Sequence, residues 1–412
     1  MDVKRNLFWN TIGTIIYLAA QWLTTVLIVR LTGNYEDAGL YSLAMSVSNV
    51  FYMIAIYNVR NFQVSDIEEQ FRNEDYVFHR LFVMSIAFVS CLLFALVSYT
   101  DRYTIGILVS YMVFRMGESF VDVLHGIDQR LDRLDIVGKS YMMRGAILLV
   151  VFFVGEKVTD NLLITILFMA ISTFLFIYFY DFRHTSRLVV MKKKVNVTKI
   201  KELLLLCFPL LVYGILLNLI AAIPRFITEK LLGKELLGYY ASVATPAVIV
   251  QSFASVIFAP FVTTFTRYYQ EKEKDRFRKL AISMLIFCAL LGVVSYSGSL
   301  LLGEFILDKV IYPGKGLGPY CYLLNTTMIC TAMVAVIWFL AILLTIDRAN
   351  ILLSVATFAG VLAVAVFGTI LISRYGLVGI NWSLMCSYLT VCLFMGIGLI
   401  VRMKRHFKEG EN

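Results

Sequence analysis

Arg30-Leu-Thr-Gly33-Asn-Tyr-Glu-Asp-Ala-Gly39-Leu-Tyr41-Ser recurs about 200 residues later as Lys230-Leu-Leu-Gly233-Lys-Glu-Leu-Leu-Gly238-Tyr-Tyr240-Ala-Ser, one residue shorter. Each copy follows one long apolar segment and leads into another, so the repeated unit is a bundle of membrane helices. A duplicated membrane bundle is the build of a transporter, with its substrate path between the halves.

Composition fits this reading. The 412 residues are 59% hydrophobic and only 16% charged, and the mean hydropathy is +0.79, far from a water-soluble domain. Apolar runs near the ~20 residues needed to cross a bilayer fall at 7–29, 39–59, 78–99, 103–124, 136–155 and 160–180. A second set falls at 202–224, 237–260, 279–302, 318–346, 350–372 and 376–401. The expectation is an all-α polytopic protein of about twelve spans in two six-helix lobes, 1–190 and 202–412, joined by a basic linker at 191–201.

Lys and Arg counts orient the chain, since cytoplasmic loops carry the excess. The N-terminus and alternate loops hold 26 of them and the opposite loops 9, with Arg115 and Arg144 left inside spans. Both termini are therefore expected in the cytoplasm. An even number of spans per half makes the halves parallel, related by a pseudo-twofold along the membrane normal. The net charge of +9 is accounted for by this bias and by anionic headgroups of the inner leaflet; no nucleic-acid partner is implied. The first apolar run is full-length and lacks a small-residue cleavage site, so no cleavable signal peptide is expected.

Several chemistries find no support. The seven cysteines lie in or beside apolar spans without a C-x-x-C pair and read as packing residues. His79, His125, His184 and His406 share no ligand spacing, so no metal is expected. Gly138-Lys139-Ser140 resembles the end of a P-loop, but the required earlier glycine is Arg133, and no nucleotide or other cofactor is expected. The outward loops are short, leaving no room for an extracytoplasmic catalytic domain, and the chain is not expected to be an enzyme.

Charge within a span is expensive and marks function or a local ion pair. Arg115, Glu118 and Asp122 stand at i, i+3 and i+7 of the fourth span, on one helical stripe. At ~1.5 Å per residue, Arg115 lies at a depth similar to Arg144 in the fifth span, and Glu118 is within reach of Arg144. One reading is an ion-pair network that holds the two spans together. The other is that Arg115 or Arg144 lines a cavity and binds an anion, guanidinium being matched to phosphate oxygens. Glu118, with Asp122, is then the candidate for coupling to a proton or sodium gradient. Arg60, at the cytoplasmic end of span two, and Arg225, at the outer end of span seven, mark an entrance and an exit, or anchor at the interfaces. Gln21, Asn58 and Asn218 add polar points along the path, beside Asn49 and Asn325.

All six prolines lie in the second half. Pro209, Pro224, Pro246 and Pro260 fall in spans seven and eight, where each removes a backbone donor and bends its helix. They are candidate hinges, or fixed bends that fit a curved lobe.

The Leu-x-Gly and Gly-x-Tyr-Ser of the first repeat resemble the polysaccharide transporter family, within the multidrug/oligosaccharidyl-lipid/polysaccharide exporter superfamily. Asn58-Val-Arg60-Asn-Phe-Gln63-Val-Ser-Asp66 resembles its capsule and O-antigen repeat-unit flippases, as does Gly126-Ile-Asp-Gln129-Arg-Leu-Asp-Arg133-Leu-Asp135-Ile-Val-Gly138-Lys139-Ser140 followed by Arg144-Gly145. The match covers most of the first half and is weaker beyond. It implies a V-shaped pair of six-helix lobes in the bacterial cytoplasmic membrane. It also implies a cation-lined cavity that moves undecaprenyl-diphosphate-linked oligosaccharide to the outer leaflet, the polyprenyl tail staying in lipid. Arg60, Arg133, Lys139 and Arg144 match motif positions. Polysaccharide polymerase and chain-length machinery are the implied partners. The lipid II flippase branch has two further C-terminal spans, which disfavours lipid II as cargo.

Two competing readings belong to other classes. A drug or cation/proton antiporter of the same superfamily would favour acidic residues over arginine in its cavity. A polytopic polymerase or glycosyltransferase needs an outward catalytic loop. The major facilitator fold, also six plus six, carries a basic glycine-containing loop between spans two and three, where this chain has Asp66-Ile-Glu68-Glu69-Gln-Phe-Arg72.

Overall fold

The computed structural model describes residues 3–66, 70–189, 196–258 and 261–408, and among them every regular element is helical. The first half runs α1 (Val3–Thr32), α2 (Tyr35–Ile56), α3 (Val59–Ser65), α4 (Asn73–Ser98), α5 (Arg102–Arg130), α6 (Leu134–Thr159) and α7 (Leu162–Phe176). A π-helical stretch, Ile177–Phe182, carries α7 on into α8 (Arg183–Leu188). The second half runs α9 (Val197–Leu232), α10 (Lys234–Phe258), α11 (Phe261–Gln270), α12 (Lys274–Phe305), α13 (Cys321–Ile346), α14 (Asn350–Tyr375) and α15 (Leu377–Lys408).

Ten helices among the described residues are long and apolar enough to cross a membrane. Of the twelve expected spans, the two outside this group are α5 and α10. α5 has 29 residues, ample for a bilayer, but Arg115, Glu118, Asp122 and Asp128 lower its hydropathy. α10 has 25 residues, and the expected run 237–260 ends in residues outside the described set. Phe82, Ile86, Val89, Leu93 and Leu96 of α4 are all exposed at alternating four- and three-residue spacing, one stripe of the helix. Hydrocarbon rather than water accommodates such a stripe.

The repeat is a helix–helix corner used twice. Gly33 joins α1 to α2 at φ 66° and Gly233 joins α9 to α10 at φ 92°, a left-handed conformation that glycine adopts without steric cost. Asn34 then caps α2, its side chain accepting from the Glu36 amide at 2.9 Å. The tyrosines that follow are buried in both copies, Tyr41 at 4% and Tyr240 at 3% exposure, but their neighbours differ. Tyr41 meets Tyr111 edge-on at 5.4 Å between ring centres, whereas the Tyr240 hydroxyl donates to Asn381 Oδ1 at 2.8 Å.

The chain divides into two compact units, Met1–Asn218 and Leu219–Asn412. Their boundary lies inside α9, not at the expected linker. Residues 191–195 of that linker are outside the described set, and α9 already begins at Val197. The reason is burial: Leu203, Cys207 and Leu211 of α9 pack with Tyr57, Val59, Phe71 and Tyr76 of the first unit. Two hydrogen bonds reinforce this, from Tyr57 Oη to the Leu204 carbonyl at 3.2 Å and from Asn58 Nδ2 to the Leu210 carbonyl at 3.0 Å. Both residues are left-handed, at φ 51°, and their contacts fix the corner from which α3 starts.

Pro209 and Pro224 lie within α9 and Pro246 within α10, and each helix runs unbroken through them. The carbonyls of Leu205, Ile220 and Ser242 lose their usual donor. Thr228 Oγ1 donates to the Pro224 carbonyl at 2.7 Å. Pro260 lies outside the described residues.

In the first unit α1 packs along α6, and α5 against α2, α4 and α7. Gly13 and Gly138 bring the backbones of α1 and α6 together, and a Cβ on either would strike main-chain atoms of the other helix. Small residues at such crossings are the usual means of close helix approach in membranes.

Candidate functional site

The α1–α6 crossing brings Tyr17 and Gln21 of α1 beside Tyr141 and Arg144 of α6, and the polar stripe of α5 faces them. Together with Tyr52 of α2 these side chains line a cavity of about 230 Å³ inside the first unit. A second cavity of about 180 Å³ shares Gln21 and Arg115 and is otherwise lined by α1, α2, α5, α6 and α7.

Glu118 joins three helices. Its Oε1 accepts from Arg144 Nη2, its Oε2 accepts from the Tyr17 hydroxyl, and Arg144 Nη2 also reaches that hydroxyl at 3.3 Å. Arg144 is 5% and Glu118 8% exposed, so the pair is desolvated and costly to break from one side. Arg144 Nη1 is buried without a hydrogen-bond partner.

Asp122, one turn further along α5, holds two arginines. Arg60 Nη1 donates to Oδ1 at 3.1 Å and Arg80 Nη2 to Oδ2 at 2.8 Å. Arg60 also donates to Gln129 Oε1 at 3.1 Å, and Arg80 to the Ala55 carbonyl at 3.0 Å. Arg80 is 1% exposed. An arginine at the edge of an apolar run looks like an interface anchor, so this burial is not marked in the sequence.

Arg115 differs from these. Its guanidinium stacks on Tyr52, 3.7 Å from the ring centre, and its Nε is buried without a partner. Arg115 and Arg144 line the cavity of about 230 Å³ together with Glu118 and Asp122, so its lining is charge-balanced, while Arg60 and Arg80 hold Asp122 from outside that lining.

Other expected positions are committed elsewhere. Asn58 holds the α9 backbone, Asn218 donates to the Gly214 carbonyl of its own helix at 2.9 Å, and Arg225 donates to the Ala221 carbonyl at 3.5 Å. None of the three lines either cavity. The motif residues Arg133 and Lys139 gather on Asp135, at 2.9 and 3.8 Å, at the α5–α6 corner. Below the cavities, His125 Nε2 pairs with Asp181 Oδ1 at 3.1 Å, both fully buried. The π-helical stretch carries Asp181, and its wider turn is invisible in an apolar run. Among the described residues no group of His, Cys, Asp and Glu is arranged to hold a metal.

No family model matches the chain. A capsular polysaccharide biosynthesis protein, CapF of Staphylococcus aureus, is 27% identical over 316 residues, which cover 76% of this chain and 78% of that protein. Among solved structures, the lipid II flippase MurJ in an inward closed conformation superposes with a TM-score of 0.73 at 10% identity, covering 96% of this chain and 89% of that one. An inward-facing multidrug resistance MATE transporter gives 0.65 at 12% identity over 99% of both chains. A transporter from Pyrococcus furiosus with a binding pocket of reverse polarity gives 0.63 at 11%, over 98% and 95%. These neighbours share one superfamily, and with the capsule-biosynthesis relative they agree with the resemblance read from the loops.

Proposed function

We propose that this chain, which has the fold of the multidrug/oligosaccharidyl-lipid/polysaccharide exporters, is a flippase for undecaprenyl-diphosphate-linked oligosaccharide repeat units. In this reading it works in the bacterial cytoplasmic membrane, with twelve spans in two parallel six-helix lobes and both termini in the cytoplasm. It alternates access between leaflets without covalent chemistry and feeds a polysaccharide polymerase and its chain-length machinery.

The observation that carries the reading is Arg144, buried at the cavity with its Nη1 unpartnered. A guanidinium with a free donor suits a phosphate oxygen and not a drug cation, which argues against the cation/proton antiporter. A cavity of about 230 Å³ is below the ~300 Å³ at which pockets begin to enclose drug-sized molecules. The first unit therefore offers room for a phosphate, while the sugars lie outside it. Arg144 is the proposed phosphate donor, because Nη1 is unpartnered and Nη2 is released when Glu118 takes a proton. Proton binding at Glu118 and phosphate binding at Arg144 then favour each other, which gives a proton gradient a grip on the cycle; a sodium gradient is the alternative driving force. Arg60 and Arg225 are the cations proposed to meet phosphate on entry and exit, with Gln21, Asn58 and Asn218 along the way. The carbonyls freed at Pro209, Pro224 and Pro246, and a bend at Pro260, are the proposed hinges.

The test is translocation of a fluorescent undecaprenyl-diphosphate oligosaccharide in reconstituted vesicles. Arg144→Gln combined with Glu118→Gln removes both charges without leaving either one unpaired. A charge-assisted hydrogen bond is worth ~1.5–3 kcal/mol, so the rate should fall roughly ten- to hundredfold. A wild-type rate in the folded double variant would sink the role of Arg144. No translocation by wild type across several glycans would sink the flippase reading.

A further inference from the structure

Arg115 stands near the middle of α5, roughly 20 Å of helix from either end, which places it deep in the hydrocarbon. Unpaired charge at that depth is rare and needs a partner. Arg60 and Arg80 have Asp122 and Arg144 has Glu118. Among the described residues Arg115 has the Tyr52 ring and no carboxylate, and its buried Nε donates to nothing.

Arg115 also lines the second cavity. Besides Arg115, the polar groups that line it are Gln21, Thr24, Tyr41, Asn49 and Tyr111. All are neutral and all carry a donor. Thr24 spends its hydroxyl proton on the Gln21 carbonyl at 2.7 Å, while the side-chain amides of Gln21 and Asn49 donate to no described residue. One cation, two free amide donors and no acid make an anion site.

Size and charge narrow the ligand. About 180 Å³ is below the ~300 Å³ at which pockets begin to enclose drug-sized molecules, room for a small anion with a few waters. One guanidinium balances one negative charge, and a divalent ion would leave net negative charge in hydrocarbon. We propose that the first unit binds a small monovalent inorganic anion of the chloride class on Arg115, between α1, α2 and α5. This site shares Gln21 and Arg115 with the cavity that holds Arg144, but Arg144 itself does not line it.

The experiment uses full-length protein in nanodiscs, with thermal unfolding followed while chloride replaces gluconate at constant ionic strength. The wild type should show a saturable rise in Tm. At a chloride concentration one hundred times Kd, the folded-to-unfolded ratio rises about 100-fold. Arg115→Gln should abolish the rise, Gln21→Leu with Asn49→Leu should weaken it, and Lys199→Gln, at the start of α9, should respond as wild type. No saturable response in the wild type overturns the site, as does an undiminished one in folded Arg115→Gln. If Arg115→Gln does not fold, an unchanged response in the Gln21/Asn49 variant overturns it instead. A parallel arm adds undecaprenyl diphosphate in gluconate. An Arg115-dependent response there without one to chloride overturns the halide assignment and returns Arg115 to the lipid headgroup. The assay contains no glycan, so its failure leaves the translocation test untouched.

Discussion

Asp66 shows how much one carboxylate can organise. It follows α3, and its Oδ1 accepts from the Gln70 amide at 2.9 Å, while Oδ2 accepts from the Phe71 amide at 3.0 Å and the Tyr76 hydroxyl at 2.8 Å. Burial opposes its ionisation, but these three donors and Arg130 outweigh that and hold its carboxyl below the ordinary 3.8. A lowered native value means that the unfolded chain binds protons more readily. The stabilisation is therefore full above pH 3.8 and is lost as pH falls through the native value. Asp66→Asn should cost about 1–3 kcal/mol at pH 7 and flatten the acid limb of stability, measured by chemical unfolding across pH. A sequence shows such a residue only as a loop acid. The stripe of Arg115, Glu118 and Asp122 was legible because helix periodicity fixes its face, and equal depth pointed Glu118 to Arg144. Tyr17, Tyr52 and Tyr141 were not legible, since a tyrosine inside an apolar run carries no mark of where its hydroxyl goes.

At the scale of elements, the site depends on how closely α1 and α6 approach. Gly138 lies against the Trp9 main chain, so a larger side chain must push the helices apart rather than turn aside. Gly138→Val should destabilise by about 2 kcal/mol or more and separate Tyr17 from Arg144. Unfolding should register the cost, and a crosslink between cysteines introduced on α1 and α6 should form more slowly. An unchanged crosslinking rate would contradict this account. Hydropathy reveals helices that face lipid better than those that face their neighbours. α4, with its exposed stripe, stood out at once, whereas α5 carries 18 buried positions and enough charge to fall outside the apolar group. The π-helical stretch at Ile177–Phe182 was unforeseen, because its residues are as apolar as those of an ordinary turn.

The whole molecule is a duplication whose copies have parted. The turn glycines Gly33 and Gly233 persist, yet the ion pairs of the membrane interior described above lie in the first unit. In the second unit, buried Asn381 has uncharged partners, donating to Thr326 Oγ1 at 2.7 Å and to Thr327 Oγ1 at 3.1 Å. The expected linker between copies is 191–201, while the packing seam falls at Asn218, because the opening turns of α9 are buried against Tyr57, Phe71 and Tyr76. That mismatch bears on how hybrid exporters are to be assembled. A crossover at the loop exchanges the Leu203, Cys207 and Leu211 surface along with the second half and leaves the recipient's Tyr57 and Asn58 facing a stranger's helix. A crossover at 218 keeps the packing inside each unit with its own parent. Hybrids with a relative near 27% identity should accumulate as folded protein when joined at 218 and be degraded when joined at 196, read as monodisperse yield in detergent. The gene's natural joint is the wrong place to cut the protein.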